Sequence, residues 1–271
     1  GRESSSDPPT GTPAGRGRQA KDTKMKLFDV YPLYDVDIVR GQGYHVWDAA
    51  GEQYLDLYGG HAVISIGHAH PHYVEAISRQ VARLGFYSNS VINTLQRTLA
   101  ERLGHISGME DYAFFMCNSG AEANEALIKL ARKNGSEKGR CEIIVMNDSF
   151  HGRTLATLAA TGRSKYRKGF SPDMPGFKFV NYNDIEAVRN AIDGKTAAVM
   201  LEPVQGEGGI IPADREYLKA VRELCDKNDI MLLFDEVQCG MGRTGSFFAW
   251  QSFGVEPDAL SMAKALGNGY P

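Results

Sequence analysis

The chain holds 271 residues, 42% hydrophobic, 10% aromatic and 23% charged, the profile of a globular protein with one or two sizeable cores rather than a fibrous, collagenous or wholly disordered one. Its 30 basic and 33 acidic residues leave a formal charge of -3, so no overall positive field draws it to nucleic acid or to an anionic membrane. No apolar run nears the roughly 20 residues that span a bilayer, and Cys117, Cys141, Cys225 and Cys239 form no C-x-x-C pair, which argues against a zinc site or a disulfide framework and for a reducing, cytoplasmic setting.

In chain order, residues 1–25 collect Ser4 to Ser6, Pro8, Pro9 and Pro13 without an aromatic or branched aliphatic side chain. Such a segment cannot offset its ordering entropy, and a disordered tail is expected. Glu3, Asp7 and Asp22 argue against an organelle transit peptide, and Met25 reads as a native start. Residues 26–75 read as an N-terminal segment and 76–271 as the main domain. From Val74 the apolar positions Val74, Ile77, Val81 and Leu84 recur at helical spacing and stop at Gly85, which predicts an amphipathic helix. Beyond it, Ala113–Met116, Ile143–Met146, Phe177–Val180, Ala197–Leu201 and Ile230–Phe234 are short apolar runs separated by helical patterns such as Tyr217, Leu218, Val221, Leu224 and Cys225. That order predicts an α/β fold with a mostly parallel sheet flanked by helices. A further short strand is expected at Ala259–Met262. In such sheets ligands bind beyond the carboxyl ends of the strands, which here carry Asn118–Glu122, Ser149–Arg153, Glu202–Gly209 and Asp235–Gln238.

Several constellations admit more than one reading. Ser119-Gly120-Ala121-Glu122 opens the helical run Ala123, Leu127 and Leu130. It is either a capping box or an anion site in which the helix start offers unpaired N–H groups and Gly120 lets a phosphate approach the backbone. Gly240 to Gly245 fits G-x-G-x-x-G, yet five residues separate it from the preceding strand and Phe247-Phe248-Ala249-Trp250 opens no clear helix, so a loop is favoured over a nicotinamide-binding turn. His68, His70 and His72 alternate, but Gly67 and Pro71 point to a turn and no carboxylate or cysteine lies nearby in sequence; no metal is expected. Asp235-Glu236 ends an apolar strand, and no P-loop is present to make it a magnesium-binding acid. Lys264, followed closely by Gly267 and Gly269, is either a solvated lysine or one held in a cleft, where a lowered pKa makes its amine a nucleophile.

Together, Gly67-His68-Ala69-His70-Pro71, Asn118 to Ala123, Phe150-His151-Gly152-Arg153-Thr154, Glu202 to Gly208, Asp235-Glu236-Val237-Gln238 and the Lys264 loop resemble the class III pyridoxal-phosphate aminotransferases of fold type I. Within that family they are most similar to the acetylornithine and succinylornithine aminotransferases. The resemblance implies that pyridoxal 5'-phosphate is bound covalently by Lys264, which then moves the substrate proton, and that Asp235 pairs with the ring nitrogen. It implies that Phe150 stacks on the ring, that Val237 and Gln238 complete the ring contacts with Gln238 on its hydroxyl, and that Ser119, Gly120 and Ala121 hold the phosphate. Arg153 would grip a substrate carboxylate, and Glu207 would act as a switch acid toward a second arginine downstream of Pro271. A further sheet strand and the rest of the small domain are also expected downstream, which makes this the C-terminally truncated large domain of such an enzyme.

The implied reaction carries the δ-amino group of N-acetyl- or N-succinyl-L-ornithine to 2-oxoglutarate in a homodimer, with no nucleic acid and no membrane as partner. Alternatives are ornithine δ-aminotransferase or another class III ω-aminotransferase, an inactive truncated fragment that only self-associates, and a nicotinamide-dependent oxidoreductase built on the glycine loop.

Overall fold

The computed structural model describes residues 27–271; the expected disordered tail, residues 1–25, lies outside them. Two compact units divide the chain at Asp37 and Ile38. The described part of the first, residues 27–37, forms no helix or strand. The second opens with β1 (Ile38–Gln42), β2 (His45–Asp48) and β3 (Gln53–Leu55), an antiparallel sheet in that order. A helical turn α1 (Gly59–Ala62) follows, then the helices α2 (Pro71–Arg83), α3 (Thr94–Ser107) and α4 (Gly120–Gly135).

From there strands and helices alternate. They are β4 (Glu142–Met146), α5 (Leu155–Ala160), α6 (Ser164–Arg167), β5 (Phe177–Val180), α7 (Ile185–Ala191) and β6 (Thr196–Leu201). A two-residue pair, β7 (Val204–Gln205) and β8 (Ile211–Pro212), precedes α8 (Arg215–Asn228), β9 (Met231–Asp235), α9 (Ala249–Phe253) and β10 (Ala259–Ser261). Five strands make one sheet in the order β10-β9-β6-β4-β5, every neighbouring pair parallel. The register sets Ile144 beside Val199 and Val199 beside Leu232.

The parallel sheet exists because its strands are apolar on both faces. Ile144, Met146, Val199, Leu201, Leu232 and Phe234 pack against Leu218 and Val221 of α8 and Val188 of α7. The alternate residues Ile143, Val145, Ala198, Met200 and Leu233 pack against Leu127, Ile128 and Ala131 of α4 and Ala156 and Ala160 of α5. Each fully buried large aliphatic side chain contributes about 1.5–3 kcal/mol relative to exposure. The stripe Tyr217, Leu218, Val221, Leu224 and Cys225 is buried along α8 as its spacing predicts.

Three expectations need correction. Ala113–Met116 forms no strand: the run is apolar, but no neighbouring strand among the described residues supplies a ladder, and Phe115 is 71% exposed. On α4 the buried face runs through Asn124, Leu127, Ile128 and Ala131, while Leu130 points outward at 45% exposure, so the inward stripe includes a polar residue that hydrophobic spacing passes over. The residues after Phe247 do open a helix, α9, although a short one. The glycine segment before it is a series of turns and does not join strand to helix as a nucleotide-binding turn must. Among the described residues no helix is long and apolar enough to cross a membrane.

Candidate active site

Beyond the carboxyl ends of β4, β6, β9 and β10, and at the start of α4, the structure gathers the residues singled out above. Asp235 is the last residue of β9 and is 3% exposed. Its Oδ2 accepts from Asn124 Nδ2 at 2.7 Å and lies 2.8 Å from His151 Nδ1, while Oδ1 accepts from the Val237 N–H at 3.0 Å and from Ser261 Oγ at 3.4 Å. Because a carboxylate only accepts, Nδ1 of His151 carries the proton toward Asp235. Burial, the largest single influence, pushes this imidazole down, but the bond to Asp235 together with the charges of Asp235 and Glu202 raises His151 above its usual range. The other ring nitrogen, Nε2, is buried without a protein partner.

Glu202, which follows β6, is 4% exposed. Its carboxyl accepts from the Phe150 N–H at 3.0 Å and the Gly206 N–H at 3.2 Å. Burial pushes it up to about 7. It thereby fixes the backbone of the loop after β4, on which Phe150 stands edge-on to Tyr166 with ring centroids 5.5 Å apart. Arg153 lies on the same loop, exposed, its guanidinium 5.5 Å from the Phe150 ring centre.

Ser119 is the N-cap of α4, and its hydroxyl accepts from the Glu122 N–H at 3.2 Å. Glu122 reaches back to the Asn118 N–H at 2.7 Å. Ser119 thus caps α4, but Glu122 bonds the N–H of the residue before the cap rather than closing the expected capping box on Ser119 itself. This leaves the Gly120 and Ala121 N–H groups in the first turn, beyond the reach of any intrahelical carbonyl. Gly120 has no room for a side chain: a Cβ there would stand 2.8 Å from Val237 Cγ1 and 3.4 Å from Ala263 Cβ. The helix start thus touches the segment after Asp235 and the residue before Lys264.

Lys264 has a left-handed backbone, φ 47°, a conformation uncommon outside glycine and asparagine. Burial lowers its amine below the usual lysine range, although Asp235, Glu202 and Glu207 act in the opposite sense. The loop that carries it is clasped from the N-terminal side. Asn268 Oδ1 accepts from the Ser65 N–H at 2.8 Å and the Ile66 N–H at 3.3 Å, and Tyr73 donates its hydroxyl to the Gly267 carbonyl at 2.6 Å.

Gln238 lies against Gly206, where any Cβ would collide with its side-chain amide. Glu207 is partly exposed, 3.9 Å from His61 Nδ1, and its carbonyl accepts from Arg163 at 2.6 Å. The structure therefore brings Lys264, Asp235, Val237, Gly120 and Ala121 together, sets Phe150 and Arg153 on the loop after β4, and holds Gln238 and Glu207 around Gly206.

Several functional neighbours escape a reading by spacing. Asn124 and Ser261 are polar residues inside apolar stretches, and the Asn268 clasp spans about 200 residues. His68 has a carboxylate partner after all: Asp56 Oδ2 lies 2.6 Å from its Nε2, twelve positions away in sequence, with the hydrogen bond to His68 holding Asp56 below the usual carboxylate range. No three His, Cys, Asp or Glu side chains among the described residues are grouped to hold a metal ion.

The chain is similar to known proteins. The model of the family Aminotransferase class-III matches residues 29–271. Acetylornithine aminotransferase of Methanocaldococcus jannaschii is 56% identical over 92% of this chain and 63% of its own length. A Pseudomonas aeruginosa protein, succinylornithine transaminase/acetylornithine aminotransferase, is 49% identical over 86% of this chain and 58% of its own. The ornithine aminotransferase of Toxoplasma gondii, whose crystal structure shows partial occupancy of PLP at its active site, superposes with a TM-score of 0.84 at 32% identity over 90% of this chain and 59% of that one. The chain thus spans about 60% of the length of the relatives it matches. With the family matched over nearly its whole length and the parallel sheet carrying the motif residues at its strand ends, the chain belongs to the class-III aminotransferases.

Proposed function

We propose that this protein is a pyridoxal-phosphate-dependent aminotransferase that takes the δ-amino group of N-acetyl- or N-succinyl-L-ornithine and delivers it to 2-oxoglutarate. The observation that carries the reading is the convergence of three features: a half-buried lysine with lowered basicity, a fixed buried carboxylate, and a helix start without room for a Cβ. The cofactor's needs match them one by one. Its phosphate suits the Gly120 and Ala121 N–H groups and the positive end of α4. Its aldehyde needs a neutral amine, and burial shifts Lys264 in that direction. Its ring nitrogen needs an immobile carboxylate, and Asp235 is held in place by Asn124, His151 and the Val237 N–H. Pyridoxal phosphate supplies an electron sink for the carbanion formed at the amino-bearing carbon.

The chain's own residues do the rest. Lys264 Nζ would take up the proton from the substrate carbon and give it back. Asp235 would pair with the ring nitrogen and favour its protonated form. Phe150 would cover the ring, Val237 and Gln238 would hold it, and Ser119 would join the phosphate contacts at the cost of its cap bond. Arg153 binds a substrate carboxylate through its planar fork, and Glu207 responds to the change between a neutral acyl side chain and a dicarboxylate. The acyl-ornithine substrates are favoured by the high identity to proteins named for them. We further read the enzyme as a cytoplasmic homodimer, a reading supported by four unpaired cysteines and by bare apolar side chains such as Phe86, Ile92 and Phe115.

The test is an assay of the full chain with cofactor, 2-oxoglutarate and each of three donors: N-acetylornithine, N-succinylornithine and ornithine. Glutamate should form with an acylated donor at a kcat/KM at least about tenfold above ornithine. Preference for free ornithine would move the assignment to ornithine δ-aminotransferase, and absence of glutamate from all three would overturn it.

A further inference from the structure

Asn124 belongs to no reading of the chemistry so far, yet it sits at the junction of every element that builds the site. It lies on α4 four residues after Gly120, so both face the same side of the helix. Gly120 packs against Val237 there, and Asn124 is 1% exposed. Its Nδ2 donates to Asp235 Oδ2 at 2.7 Å and to the His151 carbonyl at 2.8 Å, while its Oδ1 accepts from Ser261 Oγ at 2.6 Å. The amide can face only this way. Turned over, it would set an oxygen against a carbonyl and a carboxylate, both of which only accept. The Ser261 hydroxyl in turn reaches Asp235 Oδ1 at 3.4 Å. One buried side chain therefore joins α4, the loop after β4, the end of β9 and the end of β10.

We propose that Asn124 is a positioning residue that fixes the orientation of the Asp235 carboxylate and ties it to the helix start that would hold the cofactor's phosphate. This rests on the cofactor reading above. Pyridoxal phosphate would be held by its phosphate and by its ring nitrogen, so the anion cradle and the acid must keep their separation. Asn124 and Gly120 make it constant because they belong to the same turn of the same helix. Ser261 aims the amide and is the second member of the device.

The decisive experiment is a double-mutant comparison in the full chain, reading the Kd of pyridoxal phosphate by visible absorbance and the pH midpoint of the visible band. Asn124→Asp keeps the shape and the Ser261 bond but replaces the donor with an acceptor. It should weaken cofactor binding at least about tenfold and displace the pH midpoint. In an Asp235→Ala background the same substitution should change Kd less than about twofold, because the group it positions is gone. Ser261→Ala should show the same dependence at a few-fold magnitude, and it decides the matter if the Asn124 variant does not fold. Effects that multiply independently of Asp235, or an unmoved Kd and midpoint, would overturn the inference and leave the cofactor reading intact. A parent chain that takes up no cofactor would overturn both.

Discussion

Strand β9 and the segment between α2 and α4 both carry large apolar side chains, and these have opposite fates. Leu232, Leu233 and Phe234 are wholly buried, whereas Phe86, Tyr87, Ile92 and Phe115 stand 85%, 61%, 71% and 71% exposed. The first set has strands on both sides and helices on both faces; the second has no strand partner among the described residues. Apolar character by itself therefore decides neither burial nor function. What makes the sheet ends chemical is that rigid, dry walls hold a few polar groups in fixed places, where a bond to a carboxylate is strong and an amine loses its proton readily.

The largest effect expected is at the amine. Lys264→Ala in the full chain should lower transamination on the order of 10⁴-fold or more, measured as glutamate formation with the acylated donor. A variant that keeps a tenth of the activity would remove the sheet ends from the chemistry. Asp235→Ala should retain the cofactor and slow turnover about 10³-fold; the pair of measurements separates holding the cofactor from activating it.

The contrast in packing is tested by stability. Leu233→Ala should cost about 2–5 kcal/mol in urea unfolding, and Phe115→Ala within about 0.5 kcal/mol in the chain alone. Equal costs would show that the segment before α4 is packed after all.

A smaller effect is expected at Glu236. Its carboxyl accepts from the Ala249 and Trp250 N–H groups at 2.7 and 2.8 Å, yet burial raises it to about 7. The unfolded chain releases this proton near pH 4.5 and the folded one near neutrality, so the stabilisation is full below pH 4.5 and is lost as pH rises through 7. The loss should amount to about 1–3 kcal/mol, and Glu236→Gln should flatten that part of the unfolding profile. An unchanged slope would show that the two N–H donors hold the carboxylate ionised throughout.

What could be read from residue spacing follows from what spacing encodes. Strands β4, β5, β6, β9 and β10 are legible because parallel strands buried on both faces must be short apolar runs, and α8 because its stripe recurs at helical spacing. Ala113–Met116 misleads because a run of apolar residues does not say whether a neighbouring strand exists. Asp235 and Lys264 are ambiguous as isolated residues; only the ensemble of motifs gives them roles. Asn124, Ser261 and Asn268 are invisible to pattern because polar residues in buried positions look like interruptions, and their partners lie up to 203 positions away. The pairing of His68 with Asp56 is hidden for the same reason.

The central claim is that Lys264 is the residue through which the cofactor is held. Pyridoxal phosphate added to the full chain, followed by borohydride reduction and peptide mass mapping, tests it most directly. The account predicts a visible absorption that bleaches on reduction and one modified peptide, carrying the adduct on Lys264. Modification spread over the exposed lysines, with Lys264 untouched, would contradict it.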